Sequence, residues 1–180
     1  NFNIKNSLSS FFFESILGCG GQIELPKGYL KNIFKLVRQK KALCIADEVQ
    51  TGFGRVGSNF WAFQEHGIVP DIVTLGKPMG NGHPIAAVVT TKKIADTFNN
   101  GMEYFNSFGG NPVSCAVGNA VLDVIEKDNL QKNSKDVGDY FIKKLKNIQK
   151  KFPNLISKIS GKGLFIGIDF IFNGDLLLPN

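Results

Sequence analysis

The sequence predicts an α/β fold in which a mostly parallel sheet is flanked by helices. Short, continuous apolar runs alternate along the chain with segments of helical spacing, as in a sheet whose two faces are covered. Each apolar run has the length of a strand, and turn or polar residues bound it. Hydrophobic residues make up 43% of the 180 residues, which is enough for a packed core and argues against disorder.

The first part of the chain alternates strand and helix. Four strands are predicted from apolar runs at Leu8 to Phe13, Ala42 to Ala46, Ile72 to Leu75 and Ile85 to Thr91. A loop over residues 18–28 precedes a helix whose inward positions repeat every three or four residues: Leu30, Ile33, Phe34 and Val37. A short helix over residues 92–98 follows the fourth strand.

The last third of the chain predicts two longer helices and a strand. Asn111 should cap the first helix and Pro112 suits its first position. The inward stripe of this helix is expected to be Val113, Val117, Val121 and Val124. The second helix, from about Ser134 to Phe152, is expected to bury Val137, Phe141, Leu145, Ile148 and Phe152. A strand over Leu164 to Ile171 follows.

A change of composition near residues 127–133 predicts a domain boundary, with residues 1–126 and 127–180 as the two parts. The chain begins at Asn1 without a start Met or a signal-peptide pattern and ends abruptly at Asn180. We therefore expect a fragment of a longer protein. No apolar run reaches 18 residues, so the sequence predicts no transmembrane helix.

The net charge of +6 arises partly from lysines concentrated in the last third of the chain. A solvated helix face explains them better than nucleic-acid binding, because Asp136 and Asp139 interrupt the run and no stacking aromatics alternate with it. A nucleic-acid binder remains the less favoured alternative. Three separated cysteines, among them a core residue expected at Cys44, indicate a reducing, cytoplasmic setting.

Two glycine motifs could be mistaken for nucleotide sites. Gly52 to Gly57 matches the dinucleotide fingerprint G-x-G-x-x-G, but the residues from Asp47 to Thr51 separate it from the preceding strand. Two carboxylates in that stretch would also repel a pyrophosphate. Gly76-Lys77 is no P-loop either, since Asp71 stands at the expected glycine and Pro78 at the expected Ser or Thr.

The two histidines show no spacing typical of metal ligands, and no metal site is predicted. His66 is expected to end a helix, where a cation suits the helix dipole. His83 lies in the loop after Lys77, so it could face a ligand or serve the fold alone.

Three polar side chains follow the ends of two predicted strands. Asp47 and Gln50 come after the strand at residues 42–46, and Lys77 comes after the strand at residues 72–75. The carboxyl ends of parallel strands open onto one shared crevice, where ligands bind. A carboxylate, an amide and an amine at one edge suit pyridoxal phosphate, because the amine can form an imine and the acid can hold the pyridine proton.

Three separate motifs, read together, resemble the class III aminotransferase family. They lie at Ile45 to Gly57, Pro70 to Lys77 and Phe108 to Pro112. Within the family the sequence looks most like the alanine–glyoxylate aminotransferase 2-like branch, which includes phospho-lyases of ethanolamine phosphate and phosphohydroxylysine. Three stretches carry this likeness: Glu14-Ser15 followed by Cys19 to Ile23, Gly76 to Pro84, and Gly101 to Cys115. A bacterial sister group shares much of it.

The resemblance implies a fold-type-I transferase that uses pyridoxal 5'-phosphate. Lys77 matches the lysine that forms the internal aldimine, and Asp47 matches the aspartate paired with the pyridine nitrogen. Gln50 matches the glutamine near the phenolic oxygen, and Glu14 matches a glutamate that lines the site. Ser107 stands where the family usually has Thr, whose hydroxyl reaches the cofactor phosphate of the neighbouring subunit. The resemblance therefore also implies a homodimer with shared active sites.

The resemblance leaves the reaction open between two chemistries. A transaminase acting on a small amine or amino acid is the first expectation, and a phospho-lyase is the alternative. Cys19 stands where some ω-amino-acid transaminases carry a gating Glu, so we expect no such gate here. Residues 1–126 would be the later part of the large cofactor-binding domain, and residues 127–180 the start of the small α+β domain.

Two family elements are expected outside this chain. The Gly/Ser-rich loop that cradles the phosphate would precede Asn1, and the arginine that often holds a substrate carboxylate would follow Asn180. A non-catalytic, truncated remnant is therefore a further alternative. The expected location is cytoplasmic, with mitochondria as the alternative.

Overall fold

The computed structural model describes residues 8–172 and 175–176. Within these residues the chain forms nine strands and four α-helices. The strands are β1 (Ser10–Glu14), β2 (Ile16–Leu17), β3 (Ile23–Glu24), β4 (Leu43–Asp47), β5 (Ile72–Leu75), β6 (Ala87–Thr90), β7 (Ile156–Lys162), β8 (Phe165–Phe172) and β9 (Asp175–Leu176). The helices are α1 (Tyr29–Gln39), α2 (Lys92–Phe98), α3 (Pro112–Lys127) and α4 (Leu130–Lys151).

A four-stranded sheet in the order β1-β4-β5-β6 forms the centre of the first part of the chain. The pairs β1–β4 and β4–β5 are parallel, and β6 pairs antiparallel with β5 at the edge. The prediction of an α/β fold with a mostly parallel sheet is confirmed. Parallel pairing matters for the site, because it brings the carboxyl ends of β1, β4 and β5 to one edge.

Helix α1 covers one face of this sheet. Leu30, Phe34 and Val37 are buried against Phe13 of β1 and Cys44 of β4, as predicted from their helical spacing. Phe13 meets the Phe34 ring edge-on, with 5.4 Å between ring centroids. The opposite face of β1 is more open than its apolar sequence suggests, since the Phe12 side chain is 55% exposed.

The predicted loop over residues 18–28 contains a strand. β2 and β3 pair antiparallel, with Ile16 opposite Glu24 and Leu17 opposite Ile23. The loop prediction is therefore wrong at residues 23–24. Two-residue strands carry too little periodic pattern for sequence reasoning to detect them.

Helix α3 begins as predicted, but its buried face differs from the prediction. The side chain of Asn111 accepts a 2.9 Å hydrogen bond from the Ser114 N–H, and Pro112 takes the first helical position. Ser114 and Gly118 are the buried residues, whereas Val113 is 68% exposed. The small residues are inside because the helix approaches closely: a Cβ at Gly118 would lie 3.4 Å from Ile85 Cδ1.

The same correction applies to α4. Of the five side chains predicted to be inward, Leu145 is buried, whereas Val137, Phe141, Ile148 and Phe152 are each 44% exposed or more. The buried face also carries Ser134 and Gly138. A Cβ at Gly138 would lie 2.1 Å from the Gly163 carbonyl oxygen, so only glycine allows this contact.

Helix α4 packs on an antiparallel hairpin formed by β7 and β8. The predicted strand over residues 164–171 is confirmed as β8, within one residue at each end. Strand β7 was not predicted. The domain boundary near residue 127 coincides with the end of α3 and stays a prediction.

Candidate active site

The carboxyl ends of three strands lie side by side at one edge of the sheet. Glu14 of β1 is in register with Asp47 of β4, and Asp47 is in register with Thr74 of β5. Lys77 follows Thr74 by three residues and opens a short 3₁₀ helix over Lys77–Met79. The structure therefore brings Glu14, Asp47 and the start of the Lys77 segment to the shared edge that the sequence predicted.

A tight turn after β4 fixes the Asp47 carboxylate. The Val49 N–H donates a 2.9 Å hydrogen bond to Asp47 Oδ1, an arrangement typical of Asx turns. The Glu48 N–H donates to the Thr74 carbonyl at 3.0 Å, which holds the turn against β5. The Val49 side chain lies against Gly76, since a Cβ at Gly76 would be 3.5 Å from Val49 Cγ1. The Asp47 turn and the residue before Lys77 are thus in direct contact.

Lys77 has an unusual backbone conformation. Its φ angle is +37°, in the region that non-glycine residues rarely adopt, and its side chain is exposed. Backbone outliers of this kind concentrate at functional sites, where the surrounding structure imposes them. The conformation of Lys77 therefore agrees with a role at this edge beyond that of an ordinary surface lysine.

Gln50 and Glu14 meet above Gly18. The Gly18 N–H donates a 2.7 Å hydrogen bond to Glu14 Oε2, and Gln50 Nε2 donates to Cys19 Sγ at 3.6 Å. A Cβ at Gly18 would lie 2.5 Å from Gln50 Nε2 and 3.1 Å from Glu14 Oε2. The absence of a side chain at Gly18 is what leaves room for both groups. Gly18 falls in the loop predicted over residues 18–28 and has no predicted part in the site.

Gln50 and Lys77 line one open cleft of about 700 Å³. Arg55, His83 and Phe165 lie on its walls. The amine, the amide and the neighbouring Asp47 carboxylate are the groups that pyridoxal phosphate needs: partners for its aldehyde, its phenolic oxygen and its protonated pyridine nitrogen. The described residues therefore fit this cofactor.

Ser107 lies apart from the other predicted site residues. It belongs to an irregular stretch over residues 99–111, where nearly every side chain is exposed. Among the described residues, no hydrogen bond connects Ser107 to Glu14, Asp47, Gln50 or Lys77. Its expected role toward a neighbouring subunit stays a prediction.

His83 connects the Lys77 loop to α3. Its Nε2 lies 2.8 Å from Ser114 Oγ, and Asn111 Nδ2 donates to the same hydroxyl oxygen at 2.9 Å. With Asn111 donating to that oxygen, the Ser114 hydroxyl can donate to His83 Nε2, which leaves Nδ1–H on the ring as a donor. His83 thus has both a structural contact and a place on the cleft wall.

The fingerprint-like glycines serve packing. A Cβ at Gly54 would lie 2.9 Å from the Gln131 Cβ, and one at Gly57 would lie 2.6 Å from the Lys135 Cα. The Arg55 carbonyl between them accepts a 2.6 Å hydrogen bond from the Ser134 hydroxyl. Residues 54–57 therefore pack closely against α4, which agrees with the sequence argument against a dinucleotide site.

Other singled-out residues also have structural partners. Asp71 pairs with Arg38 and accepts a 2.7 Å hydrogen bond from the Cys44 N–H. His66 ends a 3₁₀ helix over Ala62–His66, as predicted, and its Nε2 lies 3.1 Å from the Ser15 carbonyl oxygen. Over residues 8–172 and 175–176, no group of three His, Cys, Asp or Glu side chains could hold a metal ion.

The most buried charged group beside the site is Glu48, to which sequence reasoning assigned no role. Its side chain is 0% exposed. Burial raises the pKa of the Glu48 carboxyl, although hydrogen bonds from Ala62 and Phe63 lower it in part. The signal in the sequence was the pair of adjacent carboxylates at the end of β4, of which Asp47 is partly exposed and Glu48 is buried.

Among the described helices, none is at once long enough and apolar enough to cross a membrane.

The chain matches the family model of class III aminotransferases over residues 2–176. It is 50% identical to the mitochondrial alanine–glyoxylate aminotransferase 2 of Homo sapiens over 169 residues, which are 94% of this chain and 33% of that protein. The chain thus spans about a third of the length of this curated relative.

Solved structures give the same result. A phospholyase from Arthrobacter in complex with phosphoethanolamine superposes with a TM-score of 0.89 and 43% identity, over 94% of this chain and 40% of that one. The ornithine aminotransferase of Toxoplasma gondii, described with partial occupancy of PLP at its active site, gives a TM-score of 0.82 and 34% identity over 90% of this chain and 38% of that one.

Proposed function

The chain belongs to the class III aminotransferase family, and we propose that it carries the lysine-bearing part of a pyridoxal-phosphate-dependent transaminase acting on a small amine or amino acid. One observation carries this proposal: β1, β4 and β5 end side by side, with Glu14 and Asp47 in register and Lys77 three residues past Thr74. The occurrence of PLP in the Toxoplasma enzyme supports the choice of cofactor.

Each side chain has a distinct role in the proposed site. Asp47 would hold the proton on the pyridine nitrogen, and Gln50 would donate a hydrogen bond to the phenolic oxygen. Glu14 lies beside Gln50, on the other side of Gly18. When bound, the cofactor withdraws electrons from the substrate carbon attached to the amine. The Lys77 amine takes a proton from that carbon and returns it at another atom, as a general base and then a general acid.

A phospho-lyase is the second candidate, and the cleft gives a reason to keep it. Arg55 shares the cleft with Lys77, and no Asp or Glu is among the described residues that line it. A cationic wall of this kind suits a substrate with an anionic end, such as a phosphate. The Arthrobacter structure contains phosphoethanolamine, and its likeness to this chain is of the same order as that of the aminotransferases.

The two reactions share the removal of the proton and differ afterwards. In a transaminase the substrate would then give up its amino group, whereas in a phospho-lyase it would lose phosphate from the neighbouring substrate carbon. Lys77 and Asp47 serve both, so they do not discriminate. The group that binds the far end of the substrate decides.

Two measurements on the full-length protein test these proposals. Borohydride treatment should leave the cofactor covalently attached to Lys77, with Lys77→Arg and Lys93→Arg as the test and control variants. A protein that stays colourless after cofactor is added would contradict any cofactor role. Ethanolamine phosphate should then release phosphate and ammonia if the protein is a lyase, whereas alanine with glyoxylate should give glycine if it is a transaminase.

We also propose that the protein is a homodimer whose subunits share active sites. The stretch around Ser107 exposes large apolar side chains to an unusual extent: Met102 is 80% exposed, Tyr104 72%, Phe105 79% and Phe108 83%. Contiguous exposed apolar residues mark interaction surfaces. Coverage by a second subunit would bury them and bring Ser107 to the partner's cofactor phosphate.

The location and the domain division remain proposals. The human relative is named mitochondrial, whereas the cysteine pattern of this chain led us to propose the cytoplasm. Residues 1–126 are proposed to belong to the large cofactor-binding domain, and residues 127–180 to the small domain that packs on it through α4.

A further inference from the structure

The Glu48 carboxylate sits between two proposed cofactor contacts, Asp47 and Gln50, yet takes no part in the proposed chemistry. Its side chain is 0% exposed, whereas Asp47 and Gln50 are each partly exposed. A buried carboxylate is costly unless its oxygens are fully hydrogen-bonded. The hydrogen-bond partners of Glu48 therefore indicate its role.

Both oxygens of Glu48 are satisfied by the protein. Oε1 accepts from the Ser15 hydroxyl at 3.2 Å and from the Phe63 N–H at 2.8 Å. Oε2 accepts from the Thr51 hydroxyl at 3.0 Å and from the Ala62 N–H at 2.9 Å. Four donors match the capacity of one ionised carboxylate.

These donors are the neighbours of the proposed cofactor contacts. Ser15 follows Glu14 directly, and Thr51 follows Gln50 directly. Glu48 itself follows Asp47. A single buried carboxylate thus joins the chain positions next to all three contacts, although Glu14 and Asp47 lie on different strands.

We propose that Glu48 is a positioning residue that holds Glu14, Asp47 and Gln50 in one arrangement toward the cofactor. The inference rests on the proposed function, since it concerns the same site. Glu48 does not touch the cofactor; it acts through the β1 end, the turn after β4 and the 3₁₀ helix that begins at Ala62.

The pattern of donors predicts that an amide cannot replace the carboxylate. The Ser15 and Thr51 hydroxyls can rotate to accept, but the backbone N–H groups of Ala62 and Phe63 can only donate. Whichever way the amide of a Glu48→Gln variant turns, its NH₂ group faces one of these N–H groups. The substitution therefore breaks one backbone hydrogen bond while keeping the shape of the side chain.

The test uses the full-length protein and measures cofactor binding separately from stability. Titration of the apoprotein with pyridoxal phosphate should give a dissociation constant at least about tenfold higher for Glu48→Gln than for the wild type, and a shifted absorption maximum of the bound cofactor. Cys44→Ala is the matched control, because Cys44 is equally buried in β4 but bonds no site residue through its side chain. It should lower the melting temperature and leave the dissociation constant unchanged.

A conservative pair keeps the test decisive if Glu48→Gln does not fold. Thr51→Ser retains the hydroxyl donor and should bind cofactor like the wild type, whereas Thr51→Val removes the donor at constant shape and should bind several-fold more weakly. Unchanged binding and spectrum in both Glu48→Gln and Thr51→Val would overturn the inference. The inference would also be overturned if Cys44→Ala weakened cofactor binding as much as Glu48→Gln does for the same fall in melting temperature. If the wild type itself binds no cofactor, the proposed function fails, which is a distinct outcome.

Discussion

The Gly18 N–H donates a 2.7 Å hydrogen bond to Glu14 Oε2, which draws the segment after β2 down onto the end of β1. This bond places the Gly18 Cα directly beneath the Gln50 amide. Glu14 and Gln50, which are 36 positions apart in sequence, therefore both lie against Gly18.

Substitution of Gly18 by Ala should weaken cofactor binding. The added Cβ would lie 2.5 Å from Gln50 Nε2 and must displace that amide. We expect roughly a tenfold rise in the cofactor dissociation constant, which corresponds to about 1.4 kcal/mol. Gly20→Ala is the control, because its Cβ would meet nothing closer than 3.4 Å. Equal effects in the two variants, measured by cofactor titration, would show that Gln50 has no role in binding.

Substitution of Arg55 should separate substrates by charge. Arg55 lines the same cleft as Lys77, and its carbonyl is fixed by the Ser134 hydroxyl. If an anionic substrate end binds there, Arg55→Gln should raise the KM for ethanolamine phosphate by about tenfold or more and change the KM for alanine little. Lys132→Gln on α4 removes a charge outside this cleft and is the control. A uniform change for both substrates would exclude Arg55 from the specificity site.

The contact between residues 52–57 and α4 should be intolerant of any side chain at Gly57. A Cβ there would lie 2.6 Å from the Lys135 Cα, which is backbone and cannot rotate away. Gly57→Ala should lower the free energy of unfolding by about 1–3 kcal/mol more than Gly67→Ala. Gly67 has a similar φ of +60° but nothing within 4 Å of its Cβ position, so the difference isolates the steric contact. Equal losses in denaturant titrations would argue against close packing at this joint.

The ion pair between Glu65 and Lys162 should make stability depend on pH in the acid range. Burial of Glu65 raises the pKa of its carboxyl, but hydrogen bonds from Lys162 and Ser58 outweigh burial and hold the pKa below its ordinary value of 4.5. A carboxyl whose pKa is lower in the folded than in the unfolded protein stabilises the fold at pH values above the unfolded pKa. This contribution is lost as the pH falls through the folded pKa.

Glu65→Gln removes that titration, so its stability should fall less than that of the wild type as the pH drops below about 4.5. Thermal melting over pH 3–7 measures the difference, with the exposed pair variant Asp96→Asn as the control, because surface pairs contribute little. Parallel pH profiles for Glu65→Gln and the wild type would contradict the assignment.

The exposed apolar stretch beside Ser107 should control assembly. Phe105→Asp puts a charge into a surface that the proposed dimer buries, and we expect light scattering to report a monomer at micromolar concentration. Leu36→Asp is the control, because Leu36 is 58% exposed on α1, away from this stretch. A dimer that persists in Phe105→Asp would place the interface elsewhere.

Residues 42–47 and 72–77 show why so much of the fold followed from the sequence. Continuous apolar runs require burial on both faces, and this requirement alone predicts parallel strands with their polar ends at one edge. The α1 face was equally predictable, since Leu30, Phe34 and Val37 are large and have no other place to be buried.

The buried faces of α3 and α4 could not be predicted in this way. Apolar periodicity favoured the valines of α3 and the phenylalanines of α4, but Ser114, Gly118, Ser134 and Gly138 are inside. Small residues are buried where backbones approach closely, and a close approach is a property of two segments together. The sequence of one segment alone therefore does not show where two backbones approach closely.

The sequence by itself determined the α/β class, the placing of the strands' polar ends at one edge and the family to which the chain belongs, because these depend on local hydrophobic pattern and on motifs at fixed spacing. Only the tertiary structure decided that Gly18 supports Gln50 and that Glu48 joins Ser15, Thr51 and the 3₁₀ helix. Such contacts depend on distances between segments far apart in the chain. The role of the buried Glu48 carboxylate can be inferred only when its four hydrogen-bond donors are known.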